Sequence, residues 1–136
     1  MKIVINKCYG GFSLSSKCVK RYYELKGQKA YFFKDGMMDK DYTPVDEENN
    51  NLFITAFSIP NPNEIDKEKL WDYHLDNRLD DRTDPLLIQA IEEIGEGESS
   101  GSCAQLKIIE IPDGMKYEIE EYDGIEWVAE EHQTWG

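Results

Sequence analysis

Between an apparent strand and an apparent helix lies Lys7-Cys8-Tyr9-Gly10-Gly11-Phe12-Ser13-Leu14-Ser15-Ser16, the local pattern in this chain best suited to chemistry. Glycine lets the backbone turn its N–H groups toward an approaching anion, and a following helix start adds partial positive charge. Ser13, Ser15 and Ser16 supply hydroxyl donors, Lys7 and Lys17 long-range attraction, and Tyr9 or Phe12 a stacking surface. The chemistry implied is capture of an anion. The run is no P-loop, since G-x-x-x-x-G-K-[ST] is missing, and Gly10-Gly11 does not open a G-x-G-x-x-G fingerprint. A plainer reading stands beside it: two glycines make a tight strand-to-helix corner closed by a serine cap.

Arg78 and Arg82 stand among Asp76, Asp80, Asp81 and Asp84 just before a second helix start. Either they form local surface ion pairs, or Arg82 sits at a pocket rim, forked onto a phosphate or carboxylate. The ligand-binding set read from the sequence is therefore Lys7, Tyr9, Gly10, Gly11, Phe12, Ser13, Ser15, Lys17 and Arg82. A third candidate is acidic. Glu118, Glu120 and Glu121 with Glu126, Glu130 and Glu131 form either a solvated face or a surface that imitates nucleic-acid phosphate and occupies a basic groove on another protein.

Catalysis and metal binding find no support at residue level. Cys8, Cys18 and Cys103 match no zinc spacing and read as core thiols of a reducing compartment. His74 and His132 belong to no H-x-x-x-H or H-E-x-x-H arrangement, and no Ser/His/Asp or Cys/His order is justified. No catalytic residue, metal or cofactor is expected. An enzyme acting on a phosphorylated small molecule is the weakest of three function classes.

Charge frames these candidates. Residues 1–34 hold eight basic side chains against one acid, a balance of +7, while the rest hold seven basic and twenty-seven acidic, a balance of −20. Clustered like charge costs self-repulsion unless the opposite sign comes near, so the split points to partners. Direct nucleic-acid binding is not expected at a net −13. The basic helix of one copy meeting the acidic part of another suggests a homodimer. Hydrophobic residues at 40% exclude a wholly disordered chain, and no apolar window reaches membrane-spanning length, so a soluble cytosolic protein is expected.

Element patterns place the candidates. Lys2 to Cys8 reads as a central strand, being nearly continuous in apolar residues. Ser13 or Ser15 caps a helix carrying Cys18, Val19, Tyr22 and Leu25, stopped at Gly27. Lys29–Lys34 and Phe53–Phe57 read as strands, 36–51 as an exposed loop, and 64–81 as a surface excursion with at most a weak helix. Asp84-Pro85 opens the clearest helix, with Leu87, Ile88, Ile91 and Ile94 on its apolar face and Gly95 at its end. Residues 96–102 read as a flexible loop. Leu106–Ile111 and Tyr117–Tyr122 read as a hairpin across Pro112-Asp113-Gly114, and Ile125–Glu131 as a last strand or short helix. The expected fold is α+β: about five strands in a mixed or largely antiparallel sheet with two main helices, a single domain over 1–136 with an acidic, loop-rich excursion around 36–83.

Lys7 to Ser15, Asp84-Pro85-Leu86-Leu87 and Glu121-Tyr122-Asp123-Gly124-Ile125-Glu126 together resemble a family of small uncharacterised proteins encoded by bacteriophages and prophages. The resemblance covers roughly half of the chain, and it implies a phage accessory protein acting in the bacterial host cytosol, a binder more than an enzyme. The leading expectation is a protein that sequesters an anionic, nucleotide-like small molecule such as a host defence signal. The alternative is an acidic, nucleic-acid-mimicking inhibitor of a basic host protein.

Overall fold

A computed structural model describes residues 1–34, 41–46 and 54–130. Its strands are β1 (Lys2–Asn6), β2 (Tyr31–Lys34), β3 (Thr43–Val45), β4 (Ile54–Phe57), β5 (His74–Leu75), β6 (Leu106–Glu110), β7 (Tyr117–Tyr122) and β8 (Ile125–Glu130). The helices are α1 (Ser16–Leu25), α2 (Lys67–Leu70), α3 (Pro85–Ile94) and α4 (Glu96–Ser99), so the α+β class and the two main helices hold. The strands form three antiparallel sheets rather than one: β1-β6, β3-β2-β4-β5 and β7-β8.

Helix ends follow local chemistry. Ser15, in extended backbone, accepts a hydrogen bond from the Cys18 N–H through its hydroxyl, so Ser15 and not Ser13 is the cap of α1. Asp84 does the same for the Leu86 N–H at the start of α3, where Pro85 costs no hydrogen bond. Their apolar faces meet: Cys18, Val19 and Tyr22 of α1 share one core with Leu87, Ile88 and Ile91 of α3, Val4 of β1 and Phe32 of β2. A second, smaller core gathers Phe33, Phe57 and Leu70.

Several expectations need correction. β1 is fully buried from Ile3 to Ile5, yet among the described residues it has a single ladder partner, β6. Its other edge is closed by loop and side chain, because the Val4 N–H donates to the Arg82 carbonyl (3.0 Å) and the Asn6 N–H to Glu126 Oε1 (2.8 Å). β6 pairs with β1, and β7 pairs with β8 instead of turning back on β6. The turn chemistry agrees. Asp123 (φ 52°) and Gly124 (φ 93°) make the two-residue, positive-φ loop that matches strand twist, which Pro112-Asp113-Gly114 does not.

Within the expected loop 36–51, Thr43–Val45 forms an edge strand on β2, a position where Pro44 lacks no ladder bond that the sheet interior would need. Residues 64–81 are anchored rather than a mere excursion: β5 pairs with β4, and Leu70 and Leu75 are buried. Residues 96–102 hold the helical turn α4, and Ser99, Ser100 and Gly101 are buried. Of the cysteines, Cys18 is buried, Cys8 half-buried and Cys103 exposed, so the core reading fits Cys18 alone. Phe53, Glu131 and His132 lie outside the described residues. No helix among the described residues is long and apolar enough to cross a membrane.

Candidate functional site

The glycine loop is exposed at Gly10 and half-buried at Gly11, but one side of it is occupied by protein. A Cβ on Gly124 would lie 2.5 Å from the Gly11 nitrogen and 2.7 Å from the Gly10 nitrogen, so the turn of the β7-β8 hairpin packs directly on those two amides. On Gly10 itself, at φ 112°, a Cβ would meet the Cys103 Cβ at 2.8 Å. Such close backbone approach is what requires glycine here, and it places protein where an anion would have to stand.

Arg82 is forked onto a carboxylate, as one sequence reading had it, but the carboxylate is the chain's own. Its Nη1 and Nη2 donate to Glu126 Oε1 (2.6 Å) and Oε2 (2.9 Å), its Nε donates to the Leu79 carbonyl (3.0 Å), and its guanidinium lies 3.6 Å over the Phe12 ring. Buried Asn6 completes the cluster: its amide donates to the Cys8 and Gly124 carbonyls (both 2.7 Å), and its oxygen accepts from the Gln105 N–H (2.8 Å). Asn6, Phe12, Arg82, Gly124 and Glu126 thus clamp the hairpin onto β1 with their polar groups matched to one another. Glu126 is accordingly no part of an acidic surface, whereas Glu118, Glu120, Glu121 and Glu130 are exposed.

The basic segment is answered in part within the chain. Lys2 pairs with Glu92 (3.0 Å), and Arg21 grips Glu93 through Nε (2.5 Å) and Nη2 (3.2 Å). That grip, with a bond from Gln89, holds the Glu93 carboxyl below its ordinary range. Lys7, Lys17 and Tyr9 are exposed.

A different place gathers the free donors. The Leu14 N–H donates to the Asn77 carbonyl (2.9 Å), the Ser15 N–H to Ser99 (2.9 Å), and the Gly101 N–H to Ser13 (3.0 Å), which stitches the segment before α1 between the end of β5 and the residues after α4. The junction encloses a cavity of about 250 Å³ lined by Ser13, Leu14, Ser16, Ile54, Thr55, His74, Asn77, Arg78, Gly101 and Ser102. A narrower hollow of about 40 Å³ shares six of these residues and reaches Val19, Phe32, Ala56 and Leu75. No carboxylate is among the described lining residues.

Ser16, the first residue of α1, is 7% exposed, and its hydroxyl opens on the cavity without a hydrogen-bond partner among the described residues. The Arg78 guanidinium makes no ion pair with a described residue, for Asp76 bonds the Arg78 backbone N–H (2.9 Å). Burial lowers the His74 pKa from 6.5, with Asp76 opposing in part, so the imidazole is neutral at pH 7. The lining thus combines neutral polar groups, two apolar side chains (Leu14 and Ile54) and one cation.

Two other places are less apt. A larger hollow of about 550 Å³ between Met1, Lys2 and the α3 side chains Ile88, Gln89, Glu92 and Glu93 is an open surface trough, and the Lys2–Glu92 pair consumes its one lysine. Burial pushes the Cys18 thiol up to about 11, with Ser99 opposing in part, so it is no nucleophile. The described residues contain no group of three His, Cys, Asp or Glu side chains that could hold a metal ion.

Of the residues singled out in the sequence, the structure brings Ser13, Ser16 and Arg78 to one cavity, and Ser15 shapes its wall by capping α1. Thr55, His74, Asn77 and Ser102 were missed as site residues. They come from separate segments with no shared motif, and only the pairing of β5 with β4 and the crossing at Leu14 bring them together. Comparison with protein-family models, with curated proteins and with solved structures finds no match.

Proposed function

We propose that the protein is a binding protein that captures a small anionic molecule in the Ser16–Arg78 cavity. The observation that carries this is Ser16, a residue 7% exposed whose hydroxyl has no hydrogen-bond partner among the described residues, at the start of a ten-residue helix and in a cavity whose nearby cation, Arg78, has no ion-pair partner among the described residues. A hydroxyl with no partner in the protein is open to a ligand's acceptor, and the first N–H groups of a helix have no intrahelical acceptor. An anion meets both needs. The phage resemblance favours an accessory role in the bacterial cytosol, withholding a host signal. Calorimetric titration with a panel of nucleotides and cyclic nucleotides tests the reading. Heat that disappears in Arg78→Gln and Ser16→Val supports it, and no heat from any member with folded protein refutes it.

A second reading keeps the exposed hairpin. Glu118, Glu120, Glu121 and Glu130 with Tyr122, 73% exposed, form an acidic surface with an aromatic edge suited to a basic host protein. Charge reversal at Glu118 and Glu120 should abolish salt-sensitive capture of such a partner. Unchanged capture would reject this surface.

A further inference from the structure

Resting on the reading of the cavity as an anion site, we propose that the anion is the phosphate of a nucleotide whose base lies on the exposed indole of Trp71. His74 joins the two places. It is among the residues that line the cavity, and its ring centroid stands 4.9 Å from that of Trp71 at an interplanar angle of 75°. The edge contact with one ring leaves a large indole surface in water, for Trp71 is 63% exposed and belongs to neither core. A tryptophan that contributes nothing to a core, beside a cavity of hydrogen-bond donors, is suited to receive a flat ring.

The backbone beneath it is held in place before any ligand arrives. Leu70 is 4% exposed in the smaller core, the Ser58 N–H donates to the Tyr73 carbonyl at 2.8 Å, and the Phe57 ring lies 6.0 Å from His74. Ordering this platform therefore costs a ligand little. Stacking tolerates any base, since every base offers a π face, so the class is nucleoside phosphates rather than one nucleotide. The donors Ser16, Asn77 and Arg78 hold the phosphate, and Trp71 adds the affinity that separates a nucleotide from a bare sugar phosphate.

Calorimetry on the full chain with adenosine 5′-monophosphate and ribose 5-phosphate, at matched ionic strength, tests this. The nucleotide should bind about tenfold or more tightly than the sugar phosphate. Trp71→Ala should remove that preference and leave ribose 5-phosphate unchanged, Trp71→Phe should keep most of it, and Arg78→Gln should weaken both. Equal wild-type affinity for the two ligands overturns the stack while sparing the anion site. So does a Trp71→Ala protein that keeps the preference, or one that loses both ligands alike. Binding of neither by folded wild-type protein overturns the anion site and this inference with it. The wild-type comparison needs no variant to fold.

Discussion

Replacing Glu126 with leucine should be among the most damaging single changes on this chain. Its side chain is 7% exposed and that of Arg82 is 15%, so the pair lies largely out of water. The change leaves the guanidinium with the Leu79 carbonyl and the Phe12 face, and it strips the buried Asn6 N–H of its acceptor. Breaking one side of a buried pair costs about 3–5 kcal/mol. For a urea dependence of about 2 kcal/mol per molar, a loss of about 4 kcal/mol lowers the unfolding midpoint by about 2 M. Glu126→Gln keeps one oxygen for the Asn6 N–H and Arg82 Nη1 but loses the charge and the acceptor for Arg82 Nη2, so about half of that shift is expected. Arg82→Leu with Glu126→Leu should lose far less than the two single losses together, because no charge is left unpaired. Equilibrium urea unfolding followed by far-UV circular dichroism reads the wild type and the four variants. A Glu126→Leu loss below about 1 kcal/mol, or strictly additive losses, would refute the clamp.

Gly124→Ala should destabilise the protein by several degrees in Tm, since its Cβ would strike the Gly10 and Gly11 amides and its φ is 93°; an unchanged melting curve would remove the packed corner. Ser15→Ala should cost about 1 kcal/mol in urea unfolding through loss of the α1 cap, and no loss would deny the cap its role. Because burial lowers the His74 pKa from 6.5, the ligand-free protein keeps this contribution to stability above pH 6.5 and loses it as pH falls through the folded value. A bound anion favours imidazolium, so affinity should rise from about pH 7.5 to about pH 5.5, more steeply in wild type than in His74→Gln by calorimetry; parallel slopes would separate His74 from the ligand.

Much of the frame was legible because it rests on short-range chemistry. Asp84-Pro85 and the serine run announce helix starts, and Asp123-Gly124 announces a turn, through bonds within a few residues. Strand pairing was less legible. An apolar run such as Ile3-Val4-Ile5 reports burial on both faces but not what closes its edge, and here one edge is closed by an arginine carbonyl and a glutamate side chain from distant segments. The same limit explains the site. Gly10-Gly11 reads equally as a cradle or a corner until Gly124, more than a hundred residues away in the chain, is seen to occupy it. Arg82 and Arg78 look alike in sequence, and only the partner Glu126 makes the first a clamp and leaves the second available.

The location of the anion site is tested most directly by backbone amide chemical shifts of ¹⁵N-labelled protein titrated with adenosine 5′-monophosphate. Saturable shifts should centre on Ser16, Lys17, Asn77, Arg78 and Ser102 and be lost in Arg78→Gln. Shifts centred on Lys7 to Phe12 instead, or none at saturating nucleotide, would contradict the account.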